Sequence, residues 1–372
     1  MYESVPQRPL PVLAKPSHDE RARQLFAKDF RKYIMLDVPP LTRRVYEQEV
    51  KPAVIAARGA APTTHTEVRD VMWEHGYLRA AQGLQRISQE LMWGSIVPSV
   101  ERQAAEINAR AVELSARGVG SLDLDPKAEV PEYLTRVDIH CMPGNYHTEN
   151  APNDASQGAL FDRGSFLYAL GSAGDLNDAT GVVLANKLKS QFPALAPRRI
   201  LDLGCTVGNN TLPLCDVYPD AEIHAVDIGA PMLRYAHARA TALGKVVHWH
   251  QRDVRHTRFP DGHFDLVTSE ILFHEVEPDQ IGAVFKEAWR VLAPGGVMAH
   301  IDIPNFFQYP DPLFVSLVDA DNFHNNEPFW GEMHRRDLVQ LMVDAGFPRE
   351  TCFRGVAPMG TFPWSWFGAV KS

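Results

Sequence analysis

Two short stretches of this chain have residue types suited to holding a nucleoside. Arg199-Ile-Leu-Asp-Leu-Gly-Cys-Thr-Val-Gly-Asn-Asn210 runs from apolar residues into a glycine turn, and His224-Ala-Val-Asp227 ends a second apolar run in a carboxylate. In a βαβ unit the turn offers backbone N–H groups and the next strand offers an acid at its tip. Gly204 and Gly208 let backbone approach a ligand where a Cβ would collide. Asp227 carries two acceptor oxygens, which suit the two ribose hydroxyls. Asp253 is expected to accept from an adenine amino group while Val254 donates its backbone N–H. Asp202, Cys205, Thr206, Ile228 and Glu270 complete the expected cofactor contacts. A nicotinamide fingerprint, G-x-G-x-x-G, would need glycine at Thr206 and Asn209, and neither is one.

A second group of residues is suited to moving a proton. Thr268-Ser-Glu-Ile-Leu-Phe-His-Glu-Val-Glu277 follows a strand candidate, whose carboxyl end faces the ligand crevice in an open α/β sheet. His274 titrates near neutrality and is the expected general base, with Glu275 as its rival or orienting partner. His140, Tyr146, His147, Asp302, Asn305 and His324 are expected to meet the acceptor. Cys141 and Glu149 lie beside His140, Tyr146 and His147, but their spacing fits no standard zinc pattern, so no metal is expected. His248, His250, His256 and His263 straddle a strand and its loop and are expected to point in different directions.

The elements that would position these residues are legible as periodicity. Strand candidates are Arg199–Leu203, Glu222–Val226, Val246–Gln251, Phe264–Thr268 and Val297–Ile303, with helices anchored by Thr211–Val217, Met232–Leu243 and Asp279–Leu292 between them. That alternation predicts a parallel sheet with helices on both faces. Cys352–Ala357 and Trp364–Val370, split by a Gly/Pro turn, predict a closing antiparallel pair. Upstream, Ser17-His-Asp-Glu20 and Thr64-His-Thr-Glu67 have the capping-box form, and residues 15–120 read as a helical bundle interrupted at Pro98. Gly118 to Pro131 reads as a polar linker, Val137–Cys141 as a short strand, and Gly164 to Phe192 as helix. The division expected is residues 1–130 helical, 131–198 connecting and covering the cofactor, and 199–372 binding it.

Taken in order, these motifs resemble the class I S-adenosylmethionine (SAM)-dependent methyltransferases. Leu201-Asp-Leu-Gly-Cys-Thr-Val-Gly208 resembles the family's glycine loop, and Ala225-Val-Asp227 the acidic end of its second strand. Arg252-Asp253-Val254 resembles the acid after the third strand and Phe264-Asp-Leu-Val267 the fourth strand. Glu287-Ala-Trp-Arg-Val-Leu-Ala-Pro-Gly-Gly296 resembles the helix and turn before the fifth. The resemblance covers slightly under half of the chain and departs from the family at Thr206, where the central loop glycine is usual.

It implies a Rossmann-like seven-stranded, mostly parallel sheet with a C-terminal antiparallel hairpin, SAM as cofactor, and a small organic acceptor. It also implies Tyr168 as a cofactor contact, because the helix before the first core strand often covers SAM in this family. Leu-Phe-His-Glu, ending at Glu275, resembles the place where small-molecule O-methyltransferases carry a histidine base. Transfer to oxygen is therefore expected first. Nitrogen or carbon transfer by positioning alone, a nicotinamide oxidoreductase, and a non-catalytic SAM-binding protein are the alternatives. Several aromatics, among them Phe306, Phe307, Tyr309, Phe323, Phe329 and Trp330, would border the crevice, where a sulfonium favours aromatic faces.

Composition sets outer limits. The 372 residues carry a net charge of −9 and no visible basic face, which disfavours nucleic acid. No apolar run reaches the roughly 18–20 residues of a membrane span. The N-terminus has neither a basic nor an apolar leader region, and four scattered cysteines read as reduced thiols, so a cytoplasmic enzyme is expected. Homodimerisation is an expectation by analogy only.

Overall fold

Each apolar run of the C-terminal half becomes a strand of one sheet in the computed structural model, which describes residues 6–304, 311–359 and 362–372. The strands are β1 (Gly120–Asp123), β2 (Arg199–Leu203), β3 (Glu222–Asp227), β4 (Val247–Gln251), β5 (Phe264–Glu270), β6 (Leu292–Asp302), β7 (Cys352–Met359) and β8 (Phe362–Val370). Their order is β1-β4-β3-β2-β5-β6-β8-β7. The pairs from β1 to β6 are parallel, and β8 pairs antiparallel with both β6 and β7. The expected topology is therefore present with one strand more than the seven expected. The addition, β1, falls in the stretch that reads as a linker, and Leu122 is its only apolar side chain. Gly120 is required there by contact: a Cβ would stand 2.2 Å from the Val247 carbonyl oxygen.

The central strands β2 to β6 are largely buried on both faces, as parallel sheets require, while β1 at the edge is mostly exposed. One apolar layer joins Leu203, Val267, Phe285, Met298 and Phe367; the other joins Ile200, Leu212, Ala225, Trp249 and Trp366.

The N-terminal part is helical, as expected: α1 (His18–Leu36), α2 (Val38–Val45), α3 (Lys51–Arg58), α4 (His65–Glu74), α5 (Gly76–Glu101) and α6 (Ala104–Arg117). Both capping boxes form, at Ser17/Glu20 and Thr64/Glu67. Pro98 does not break α5; it sits in the last turn, so the single bond it removes lies where the ladder is about to stop. The expected helix over 164–192 is two, α7 (Ser156–Tyr168) and α8 (Ala179–Gln191), parted by left-handed residues at Leu170, Gly171, Gly174 and Asn177. One apolar cluster runs through the bundle into the sheet layer: Met92, Trp93 and Ile96 of α5 pack with Leu160 and Phe166 of α7 and with Met232 and Tyr235. Among the described residues no helix is long and apolar enough to cross a membrane.

Between Asp302 and Leu338 the chain leaves the sheet and crosses to the bundle. Leu313 packs among Val68, Val71 and Met72 of α4, and Arg43 pairs with Asp311 at 2.5 Å. The crossing brings Asn325 and Glu327 over the carboxyl ends of β5 and β6.

Candidate active site

The loop after β2 is fastened to the end of β3. The N–H groups of Gly204 and Cys205 both donate to the Val226 carbonyl, at 2.9 and 3.0 Å. Asp227, at the tip of β3, accepts from the Thr206 N–H at 2.9 Å and the Gly229 N–H at 2.8 Å, one on each oxygen. Burial pushes its carboxyl above the ordinary value. Gly204, Thr206, Asp227, Ile228, Asp253, Val254, Tyr146 and Glu275 line one crevice of about 90 Å³, walled by Tyr133, Leu134 and Leu272.

Thr206 adopts φ +43°, the left-handed conformation that a glycine would take without strain. Gly204 and Gly208 are left-handed too, and added Cβ atoms would meet the Leu272 and Trp249 side chains at 2.6 and 2.8 Å. Their need for glycine is thus met by backbone and packing before any ligand is considered.

Of the other expected cofactor contacts, Asp202, Cys205 and Glu270 do not line the crevice. Asp202 is fully buried and accepts from Asn210, Thr211 and Thr268 at 2.7, 2.5 and 3.3 Å, tying the strand to the following helix. Burial lifts its pKa to about 6. Cys205 is buried, and Asp253 is clasped by the Arg255 guanidinium at 2.6–3.0 Å. Glu270 is lifted by burial to about 8, and its Oε2 has no hydrogen-bond partner among the described residues. Tyr168 lies on the acceptor side, its ring under the Arg31 guanidinium at 3.8 Å and edge-on to His140 at 5.8 Å.

The groups present fit SAM on two counts. The Asp227 carboxylate, with about four acceptor positions, takes backbone N–H groups of Thr206, Gly229 and Ile228 and keeps room for a ribose hydroxyl. The crevice lies outside the carboxyl ends of β2, β3 and β5, where an open α/β sheet takes its ligand. Its volume is below the roughly 300 Å³ at which small-ligand pockets begin. A larger hollow of about 430 Å³, lined by Phe192–Ala196, Asp265, Pro294–Val297 and Val370, lies at the opposite ends of the strands. Asp265 is already engaged there with the Arg198 and Arg199 N–H groups.

At the inner edge of the crevice Glu275 belongs to a second constellation. Tyr146 Oη donates to Glu275 Oε1 at 2.9 Å, and His140 Nε2 lies 3.0 Å from the same oxygen. His140 Nδ1 lies 2.5 Å from Oε1 of the fully buried Glu327. His274, fully buried, has Nδ1 2.7 Å from Asp302 Oδ1, while Nε2 has no hydrogen-bond partner among the described residues. The other Asp302 contacts come from the Phe273 and Ile303 N–H groups, so this acid orients His274 and has no oxygen left free of a partner. Burial lowers the His274 pKa, but Asp302, Glu327 and Glu275 outweigh it and lift the value to about 8. The same opposition holds at His140, where the two glutamates carry it well above the ordinary value.

His140 is not on a strand. Ile139–Cys141 is a 3₁₀ turn with His140 and Cys141 both at positive φ. The alternation of Val137, Ile139 and Cys141 mimics a strand, but two α5 donors override it: Trp93 Nε1 and Gln89 Nε2 bind the His140 carbonyl at 2.7 and 3.0 Å. Asn305, Phe306, Phe307 and Tyr309 lie outside the described residues. His324 stacks on Trp73 of α4 at 6.3 Å, and the partly buried His147 stands apart from the cluster. Sequence reasoning misses Glu327; nothing in Asn325-Asn-Glu-Pro328 signals it, since only the crossing of the chain puts it over β6.

A last correction concerns the histidines near β4. His224, His248 and His250 stack at 5.0 and 5.3 Å, with His263 edge-on to His224 at 6.2 Å. Residues two apart on a strand share a face, so His248 and His250 converge.

Comparison with known proteins agrees with this geometry. Residues 200–296 match the methyltransferase domain family. A demethylmenaquinone methyltransferase of Thermus thermophilus is 38% identical over 136 residues, covering 37% of this chain and 59% of the relative. A trans-aconitate 2-methyltransferase of Rhodopseudomonas palustris is 41% identical over 36% of this chain and 49% of its own length. A malonyl-[acyl-carrier protein] O-methyltransferase of Herminiimonas arsenicoxydans is 28% identical over 45% and 60%. The chain thus spans about half to three-fifths of these relatives, and the bundle lies outside the matched family residues. Residues 200–296, which hold the glycine loop, Asp227 and Asp253, match a methyltransferase domain, in agreement with the class I SAM-dependent pattern of the motifs.

Proposed function

We propose that the chain transfers the methyl group of SAM to a hydroxyl oxygen of a small, uncharged organic acceptor, with His274 taking the proton. SAM supplies an electrophilic methyl on a sulfonium, displaced in line by the acceptor. Asp227 would hold the sugar, and the Gly204–Gly208 loop would approach the rest of the cofactor. The acceptor would lie against Tyr146, His140 and His274, where the enzyme's main contribution is alignment.

One observation carries the proton-acceptor reading: the buried His274 ring is fixed through Nδ1 by Asp302 and leaves Nε2 without a hydrogen-bond partner among the described residues. A base oriented by a third group is the general arrangement for activating an oxygen nucleophile. The acidic surroundings, Glu275 and Glu327, disfavour an acceptor that arrives as a carboxylate, and a carboxylate would not need a base. The relative named as an O-methyltransferase supports oxygen as the site of transfer.

The test is transfer of labelled methyl from SAM to a panel of phenols, enols and alcohols. His274→Gln is expected to lower kcat by about 10²–10⁴-fold with SAM affinity unchanged. Asp227→Ala should weaken SAM binding in calorimetry. Full turnover by His274→Gln would leave positioning alone, and with it nitrogen or carbon acceptors.

A further inference from the structure

We propose that His140, His274, Glu275 and Glu327 form a binding site for one divalent first-row transition-metal ion. The proposal deepens the reading above and rests on it only for what the ion would touch.

Four features carry it. One ligand atom from each side chain can be chosen so that all lie within 4.8 Å of one another. Three buried atoms of the set, His274 Nε2, Glu275 Oε2 and Glu327 Oε2, have no hydrogen-bond partner among the described residues. Unpaired buried polar atoms are costly, and two of these, His274 Nε2 and Glu327 Oε2, stand 4.0 Å apart, where one ion would satisfy both. His274 also has the support typical of a ligating imidazole: Nδ1 is held by a buried carboxylate, which leaves the Nε2 lone pair for a metal. Finally, two carboxylates and two neutral imidazoles balance a charge of +2.

The spacing needs only small adjustment. His274 Nε2 lies 3.8 Å from Glu275 Oε1 and 4.0 Å from Glu327 Oε2. Ligands of a tetrahedral site with bonds of about 2.1 Å stand about 3.4 Å apart. His140 now bridges the two glutamates and would turn one nitrogen to the ion. Two imidazoles select zinc, iron, cobalt or manganese over calcium and magnesium, which prefer all-oxygen sets.

Sequence spacing cannot reveal this site. Its ligands come from a 3₁₀ turn held by α5, the loop after β5, and the crossing after β6. Because Glu275 also lines the cofactor crevice, the ion would meet the acceptor oxygen. Coordination would then acidify the acceptor hydroxyl, whose proton would pass to water, and His274 would serve as a ligand in place of the proton-acceptor role proposed above.

The test uses the full chain, stripped with chelator and titrated with Co²⁺ or Zn²⁺ alone by calorimetry and, for cobalt, visible absorption. Wild type is expected to bind one equivalent. Glu327→Gln and His140→Gln should each weaken binding at least tenfold and change the cobalt spectrum, with SAM affinity unchanged. Should the buried Glu327→Gln fail to fold, His140→Gln, at the partly exposed rim, gives the same reading. Wild-type binding that is absent, or equal to that of the folded variants, overturns the proposal. Methyl transfer that persists in chelator and still depends on His274 would then stand without it; metal binding without any transfer would overturn the function alone.

Discussion

Thr206 concentrates the tension in the cofactor loop. A β-branched residue at φ +43° is stiff and out of place, yet its N–H is one of the two that hold the Asp227 carboxylate. Such a conformation costs of order 1–3 kcal/mol, against which glycine's larger loss of freedom on folding returns roughly 0.5–1 kcal/mol. Thr206→Gly is therefore expected to stabilise the protein by about 1 kcal/mol in urea unfolding and to tighten SAM binding by opening the crevice. Thr206→Ala keeps a Cβ at positive φ and should gain much less. Equal midpoints for wild type and the glycine variant would show that the loop carries no strain.

At the scale of elements, the sequence makes legible what the chain determines locally. Apolar runs locate β2 to β8 and the glycine loop locates the crevice, because hydrophobic patterning and positive φ are written in consecutive residues. The short strand β1 is not legible, since pairing with β4 makes it a strand and its own side chains do not. The His140 turn misleads for the same reason, its strand-like alternation being overruled by Gln89 and Trp93 some fifty residues upstream. The bundle thus contributes directly to the site, because α5 clamps the carbonyl that sets where His140 stands. Trp93→Phe keeps the ring's bulk and removes one donor, leaving a buried carbonyl with one partner fewer, a loss of about 1–3 kcal/mol. Turnover and cobalt affinity should fall about tenfold while SAM affinity holds, because Asp227 and its loop lie on another element. A fall in SAM affinity of the same size would mean that the substitution disturbs the sheet, and the clamp would lose its assigned purpose.

The whole molecule buries titratable groups of two opposite kinds, and together they set its pH optimum of stability. His300 is fully buried among Phe273, Phe285 and Phe367, and burial lowers its pKa to about 3; His224 and His250 are lowered to about 4, chiefly by burial. These imidazoles bind protons near pH 6.5 when unfolded but not when folded, so their contribution is present above pH 6.5 and is lost as pH falls towards 3–4. Glu270 behaves in the reverse sense. Raised from an ordinary 4.5 to about 8, it contributes stability in full below pH 4.5 and loses it as pH climbs through 8. Stability is expected to peak near pH 6.5 and to fall on both sides. His300→Gln keeps a polar partner for Ser269 and should flatten the acid limb, where each fully displaced group contributes up to about 1.4 kcal/mol per pH unit. Glu270→Gln should flatten the alkaline limb instead. Urea midpoints of the three proteins from pH 4 to 9 separate the two limbs. Identical acid slopes for wild type and His300→Gln would mean that this imidazole is hydrated, in which case the aromatic packing around it is looser than the ring distances imply.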